Sequence, residues 1–401
     1  MVGIVIVGAG ECGTRAAFAL REAGYSASIN LIGAEPHLPY ERPPLSKPAS
    51  NGVQLKSICA KEALSAAEIG YRQGVSAAKL DVGSKSLSLD DGSTLNYDAL
   101  LLATGATPRQ LTCAGAERAL NFRTYSDAQA IFSLARRGAR FAIIGGGLIG
   151  MELAAVLRGK GVAVSVIEAA PRPLGRAVPT RFAAKLHERH LEEGVSFHLG
   201  QGVAEITADA VVLLDGTTVP ADITVAAIGV VPETGLAEAA GLAIGNGILT
   251  DAALRTSDPR IYAAGDCAAV LQPGGGYLRS ESWRNARAQA ETVARNMAGS
   301  ADSFVATPWF WSDQYDLGLQ VAGLPQPGHT SFVRSLPNGE IEFYLNEGRL
   351  VAAAGLGAGN SIAKDIKLAE MLIAAGISPD PDALADPTIN LKLLLKTARA
   401  A

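Results

Sequence analysis

The chain has 401 residues, 48% of them hydrophobic and 18% charged, with a formal net charge of −4. At about 100–200 residues per domain the length suggests two to four domains, and the apolar content excludes a disordered chain. The mild acidity and the lack of a long Lys/Arg block argue against a nucleic-acid partner, and no uninterrupted apolar run reaches the ~18 residues of a membrane span.

The N-terminal stretch "GIVIVGAGECGTRAAFALREAGYSASINLIGAE" predicts a β-branched strand, a Gly-rich turn, a helix with apolar residues at helical spacing, and a second strand ending in Glu35. No positively charged n-region or cleavage site precedes it, so no signal peptide is expected. Next comes "PYERPPLSK", a proline-stiffened loop presenting Arg42 and Lys47. "KSLSLDDGSTLNYDALLLATGATPR" predicts a hairpin with an Asp-Gly turn, followed by a strand. The opening pattern then repeats in "RFAIIGGGLIGMELAAVLRGKGVAVSVIEAA", which ends in Glu168 and its flanking alanines, with a second hairpin at "AVVLLDGTTVP". Residues 240–305 hold "IYAAGDCAAV" and a helix rich in Ala, Arg and Gln; residues 307–401 read as strands, then a helix near "SIAKDIKLAEMLIAAG". The prolines in "SPDPDALADP" predict a linker before a short amphipathic tail. The expected fold is α/β, with two Rossmann-like dinucleotide-binding domains and a C-terminal α+β domain.

Each Gly-rich turn is a G-x-G-x-x-G: Gly8, Gly10 and Gly13, then Gly145, Gly147 and Gly150. The first glycine permits the turn, the second admits a pyrophosphate, and the third allows close helix–strand packing. The helix N-terminus offers free N–H groups to the phosphates. An acid lies about 20 residues on in each case, Glu35 and Glu168, placed for ribose hydroxyls. A carboxylate there repels a 2′-phosphate, so Glu168 favours NAD over NADP, with Arg172 and Arg176 nearby to soften the preference.

"AAGDCA" at 263–268 resembles the second FAD motif of two-dinucleotide-domain flavoproteins, and "LLLATGATPR" at 100–109 resembles the motif where that family's chain crosses between domains. With "PYERPPLSK", "RTYSDA", "SESWRNA" and "PWFWSDQY" in order, essentially the whole chain resembles the NADH-dependent FAD ferredoxin reductases of Rieske-type oxygenases and bacterial cytochromes P450. The resemblance implies a glutathione-reductase-like arrangement: a discontinuous FAD-binding domain at 1–111 and 236–306, an NAD-binding domain at 112–235, and a C-terminal domain at 307–401. It implies that Gly8, Gly10, Cys12, Gly13, Glu35, Arg42, Lys47, Ala77, Ala103, Thr104, Gly105, Arg123, Gly265, Asp266, Glu281, Trp283 and Trp311 serve FAD. Gly145, Gly147, Leu148, Ile149, Gly150, Glu152, Glu168 and Gly229 serve NADH, with Glu152 beside the nicotinamide. Three residues depart from the pattern: Glu11 near the expected phosphates, Cys12 for a smaller residue, and Glu233 where Asn is frequent.

Flavin carries the redox chemistry, and the protein supplies position and field. Disulfide reductases of this fold relay electrons through cysteines near "PYERPPLSKPAS", which here contains none. Cys12, Cys59, Cys113 and Cys267 are scattered, as expected of reduced thiols in a cytoplasmic protein, and Cys12 and Cys267 read as structural. Electrons are therefore expected to leave the flavin singly for a [2Fe–2S] ferredoxin, with a rubredoxin as the alternative, and so to a Rieske oxygenase or P450. Lys47 and Glu152 are the expected catalytic pair, Lys47 stabilising negative charge on reduced flavin and Glu152 keeping Lys47 charged. Trp283 and Trp311 are expected to line the flavin, and Trp309 is a core candidate. Arg284, Arg287 and Arg295 read either as a docking face for an acidic ferredoxin or as a solvated helix face. His187 and His190, three apart on a helix, read as a surface pair, and no metal site is expected. The competing readings are an NADH oxidase or monodehydroascorbate-type reductase, and an NADH-sensing flavoprotein of apoptosis-inducing-factor type.

Overall fold

Ile4–Val7 forms a strand because four consecutive apolar residues are buried on both faces, as parallel sheets require. The computed structural model describes residues 2–48, 52–176 and 178–400, of which 397–400 by backbone alone. The chain divides into two units, the first made of residues 1–45, 54–107 and 230–306, the second of 46–53, 108–229 and 307–401.

In the first unit five strands lie in the order Ile261–Ala263, Ala99–Leu102, Ile4–Val7, Ile29–Gly33 and Ile69–Gln73. All pair in parallel, with Ile4 opposite both Ile29 and Ala99. One face packs on helices Glu11–Glu22 and Trp283–Met297 through small and apolar residues, among them Ala16, Ala17, Leu20, Ala290 and Val293. The other face packs with Leu80, Leu87 and Leu89 of a small antiparallel sheet. Its hairpin turns at Asp91-Gly92, where Gly92 takes φ +82°, as the Asp-Gly signal predicts.

In the second unit the parallel order is Ser196–Leu199, Ala163–Glu168, Arg140–Ile144, Ile223–Ala226 and Leu120–Asn121. The second hairpin joins Ala210–Leu213 to Thr218–Pro220 through Asp215-Gly216. A five-stranded antiparallel sheet follows: Trp309–Gln314, Leu317–Gly323, Arg349–Ala358, Gly339–Asn346 and Thr330–Leu336. Leu319, Val321, Ala354 and Leu356 of this sheet share one core with Met151, Leu153, Phe182 and Leu186 of helices Leu148–Gly159 and Thr180–Glu192. On its far side, helix Ala363–Ala374 buries Ile366, Ala369 and Leu372 against Ile341 and Phe343.

Two sequence expectations change here. The "SPDPDALADP" segment is not bare linker: Asp380 caps a short helix, Pro381–Ala385, accepting from the Asp382 N–H at 3.0 Å. The buried Arg334 guanidinium holds the segment, donating to the carbonyls of Asp386 and, at 2.6 Å, Ile389. His187 and His190 are not a surface pair either. His190 is fully buried, because its helix turns that face toward the antiparallel sheet.

Glu340 accepts from Arg181 at 2.7 and 2.8 Å, and Lys185 adds a contact at 2.8 Å. Arg181's hydrogen bonds pull the Glu340 carboxyl from its ordinary 4.5 to about 2, against burial and with help from Lys185. A carboxylate depressed on folding adds stability above its unfolded pKa and loses that contribution as pH falls through the folded one. The Tm advantage of the wild type over Glu340→Gln should therefore shrink between pH 4.5 and about 2. A constant difference across that window in thermal melts would contradict this.

Candidate functional site

In the first unit the strand–turn–helix at Gly8–Gly13 leaves a cradle. Gly8 takes φ +107°, and a Cβ there would meet the Ala103 carbonyl oxygen at 2.1 Å. A Cβ on Gly13 would lie 1.9 Å from the Gly8 carbonyl oxygen, while one on Gly10 would meet nothing within 4 Å. The outer two glycines are thus required by packing, and the middle one faces open space at a helix N-terminus, which suits a pyrophosphate. Glu11 turns to Arg15, its Oε1 accepting at 3.0 Å, so its charge is partly met within the helix.

Glu35, at the end of its strand, is held by neighbours from the proline-rich loop. Tyr40 donates to its Oε2 at 2.5 Å and Arg42 to its Oε1 at 2.6 Å; Arg42 also donates to the Tyr40 hydroxyl at 3.1 Å. Tyr40 was not singled out by sequence, and its place in "PYER" five residues after Glu35 is the only signal it carries. Arg42 is therefore tied to Glu35 from the start.

Gly265 takes φ +83° and donates its N–H to Gln289 at 2.7 Å, which fixes the "AAGDCA" turn against helix Trp283–Met297. Cys12 packs beside that turn, its Cβ 3.1 Å from where a Gly265 Cβ would sit. Burial pushes the Cys12 and Cys267 thiols up, so both are inert protonated groups in the core. Arg279 donates to the Asp266 carbonyl at 3.3 Å and pairs with Glu281 at 2.6 Å. Trp283 opens the helix, with the Ser282 hydroxyl accepting from the Asn285 N–H. Ala103 continues the strand Ala99–Leu102, its N–H bonded to the Val7 carbonyl; Thr104 donates its hydroxyl to the Glu233 carbonyl at 2.6 Å, and Gly105 takes φ +74°. The departure at Glu233 thus leaves this backbone junction intact. Ala77 begins the strand Ala77–Asp81. Arg287 pairs with Glu291 at 3.7 Å and Arg295 with Asp302 at 2.6 Å, so these two of the helix's three arginines are partly neutralised.

In the second unit the same geometry recurs. Gly145 takes φ +110°, a Cβ on Gly150 would lie 2.1 Å from the Gly145 carbonyl oxygen, and Gly147 faces open space. Leu148 and Ile149 start the helix, and Ile149 is 48% exposed, an apolar side chain left uncovered at the mouth of the turn. Glu168 is oriented by two backbone donors, Gly146 at 2.7 Å and Ala170 at 2.8 Å. Arg172 donates to the carbonyls of Gly175 and Val178, which turns it to the backbone. Gly229 takes φ +97° and its carbonyl accepts from the Arg109 N–H at 3.0 Å. Arg123 also lies in this unit, its N–H donating to Asp127 just ahead of the Thr124 capping box.

Lys47 and Glu152 meet a denser set of partners than their sequence positions suggest. Glu152 is 7% exposed and accepts from the Ser46 hydroxyl at 2.6 Å and the Ser312 hydroxyl at 2.7 Å. Burial pushes its carboxyl above the ordinary range; Ser46, Ser312 and Lys47 pull it down, and Asp313 pushes it up. Lys47 does not take Glu152 as its hydrogen-bonded partner but pairs with Asp313, and its Nζ lies 5.5 Å from the centre of the Trp311 ring. Trp311 stacks on Trp309 at 5.4 Å. Lys47 is a third exposed, because the strand beside it supplies a hydrated carboxylate rather than a closed apolar wall.

Two glycine cradles with open middle positions, each followed by an oriented carboxylate, fit two dinucleotides. The family model described as pyridine nucleotide-disulphide oxidoreductase matches residues 2–290, and that described as reductase C-terminal matches 309–395. The chain belongs to the pyridine nucleotide-disulphide oxidoreductases and carries a reductase-type C-terminal domain.

Among its relatives, the ferredoxin–NAD(+) reductase component of the anthranilate 1,2-dioxygenase system of Burkholderia cepacia is 42% identical over 405 residues, covering 98% of each chain. The crystal structure of the ferredoxin reductase for the CYP199A2 system from Rhodopseudomonas palustris superposes with a TM-score of 0.93 at 33% identity, covering 98% of this chain and 100% of that one. The covalent putidaredoxin reductase–putidaredoxin complex also gives 0.93, at 32% identity, covering 100% and 99%. No described helix is long and apolar enough to cross a membrane.

Proposed function

We propose that this chain is a cytoplasmic, FAD-dependent NADH:ferredoxin oxidoreductase, delivering electrons to a [2Fe–2S] ferredoxin that serves a Rieske oxygenase or P450. The observation that carries the reading is the pairing of two dinucleotide cradles with a lysine–carboxylate cluster in place of a thiol pair. The relatives' roles in dioxygenase and P450 systems support it.

The domain division proposed is FAD-binding at 1–111 and 236–306, NAD-binding at 112–235 and C-terminal at 307–401. When bound, FAD supplies two-electron acceptance from NADH and one-electron release. The turn at Gly8–Gly13 binds the FAD pyrophosphate through backbone N–H groups, and Glu35, preset by Tyr40 and Arg42, binds the adenosine ribose. Asp266 holds the ribityl chain, and Glu281, Trp283 and Trp311 exclude water from the ring. Gly145, Gly147 and Gly150 bind the NADH pyrophosphate, and Glu168, with both oxygens fixed by backbone donors, selects a ribose 2′-OH. Glu152 would orient the nicotinamide end, and Lys47 would supply positive charge beside the bound flavin.

The test is anaerobic mixing of the FAD-loaded protein with NADH and a [2Fe–2S] ferredoxin. Rapid bleaching of the ferredoxin spectrum is expected. Fast peroxide production in air without ferredoxin, or long-wavelength absorption that persists after NADH, would overturn the assignment in favour of an oxidase or a sensor.

A further inference from the structure

A buried hydrogen-bond chain runs through the second unit to Glu152. Tyr315 Oη lies 3.1 Å from His190 Nδ1, and His190 Nε2 lies 2.9 Å from Gln314 Oε1. Gln314 Nε2 donates to Ser312 Oγ at 3.0 Å, and Ser312 Oγ donates to Glu152 Oε1 at 2.7 Å. His190 and Gln314 are fully buried, and Ser312 is 1% exposed.

The chain has one self-consistent direction. The Gln314 amide nitrogen is committed as donor to Ser312, so its oxygen must accept, and His190 Nε2 must carry the proton. His190 Nδ1 is then the acceptor for the Tyr315 hydroxyl. Burial pushes His190 down to about 4, which keeps the ring neutral and the tautomer defined. Ser312 has one proton, and because its oxygen already accepts from Gln314, that proton points to Glu152. Every donor therefore faces the carboxylate. The amide in the middle does not pass protons, so the chain orients and does not conduct.

We infer that Gln314, itself aligned by His190, is a positioning residue that aims the Ser312 hydroxyl at Glu152 and so fixes this carboxylate in its ionised form. The inference rests on the role of Glu152 proposed above. The charged groups facing Glu152 are Lys47, which favours the ionised form, and Asp313, which opposes it. On the strands packed against its helix, Glu168 is held by backbone N–H groups and Arg140 by Asp222; on the helix itself, Arg158 donates to the Val162 and Glu193 carbonyls.

Infrared titration of the FAD-loaded protein tests this, with the Glu152 carboxyl band identified by its loss in Glu152→Gln. In Gln314→Met the band should titrate about one pH unit higher than in the wild type, the size of one lost hydrogen bond to a charged group. His190→Phe should shift it in the same direction. A wild-type titration in a folded Gln314→Met overturns the inference; one in His190→Phe overturns the part given to His190. Should Gln314→Met fail to fold, the uncharged Gln314→Leu, which also lacks the donor to Ser312, must show the upward shift, and its absence overturns the inference. Loss of packing alone would lower Tm without moving this band. Unimpaired NADH oxidation by Glu152→Gln would instead overturn the role of Glu152 and leave the orientation result standing.

Discussion

Lys47→Met should slow NADH-dependent flavin reduction by about 10²-fold, the cost of removing one charge-stabilising donor from a reacting centre. The variant separates rate from stability. Lys47 and Asp313 are 33% and 45% exposed, and such pairs contribute about 0–1 kcal/mol, so Tm should change little. Methionine keeps an unbranched chain of similar length beside Trp311 and removes only the ammonium that lies 5.5 Å from the ring centre. Loss of the Lys47 charge also removes one of the influences that hold the Glu152 carboxyl down, so that group should titrate higher in the variant. Stopped-flow measurement of flavin bleaching decides the matter. An unchanged rate in a folded, FAD-loaded variant would remove Lys47 from the mechanism.

Gly13→Ala should destabilise the first unit by about 3 kcal/mol or more and yield protein that loses FAD. The new methyl group would lie 1.9 Å from the Gly8 carbonyl oxygen and 3.2 Å from Ile6 Cγ2. Helix and strand must separate to admit it, and overpacking with the backbone shift it forces costs about 1–3 kcal/mol, and more where the clash is with backbone. Gly10→Ala is the control. Its Cβ meets nothing within 4 Å, so the unit should fold normally while the pyrophosphate cradle narrows. Thermal melts and the flavin-to-protein absorbance ratio separate the two outcomes. A Gly13→Ala protein with wild-type Tm and full flavin content would show that the cradle is looser than this geometry.

The residues that support these expectations differ in how far they could be read from the chain. The two cradles were legible because their information is local. Three glycines at fixed spacing, a β-branched strand before them and an amphipathic helix after them set the backbone whatever the rest of the molecule does. The Asp-Gly hairpins were legible for the same reason, since Gly92 and Gly216 satisfy a turn needing positive φ. The family resemblance added roles, such as those of Asp266 and Glu281, that no spacing encodes.

The partners of the carboxylates were not legible. Glu152 receives one hydroxyl from 106 residues upstream and another from 160 residues downstream. His190 finds Gln314 across 124 residues, and its burial turned an expected surface histidine into a link of a directed chain. Even Arg42, five residues short of Lys47, was set by tertiary geometry, since the loop brings it back onto Glu35. By itself the sequence determined the two dinucleotide folds, their turns and the absence of cysteine from the loop after the first, because each depends on neighbours within a few dozen residues. The tertiary structure alone decided which hydroxyls, amides and charges surround Glu152 and Lys47. Contacts between distant segments depend on how the antiparallel sheet packs on the second nucleotide-binding helix, and no local pattern specifies that packing.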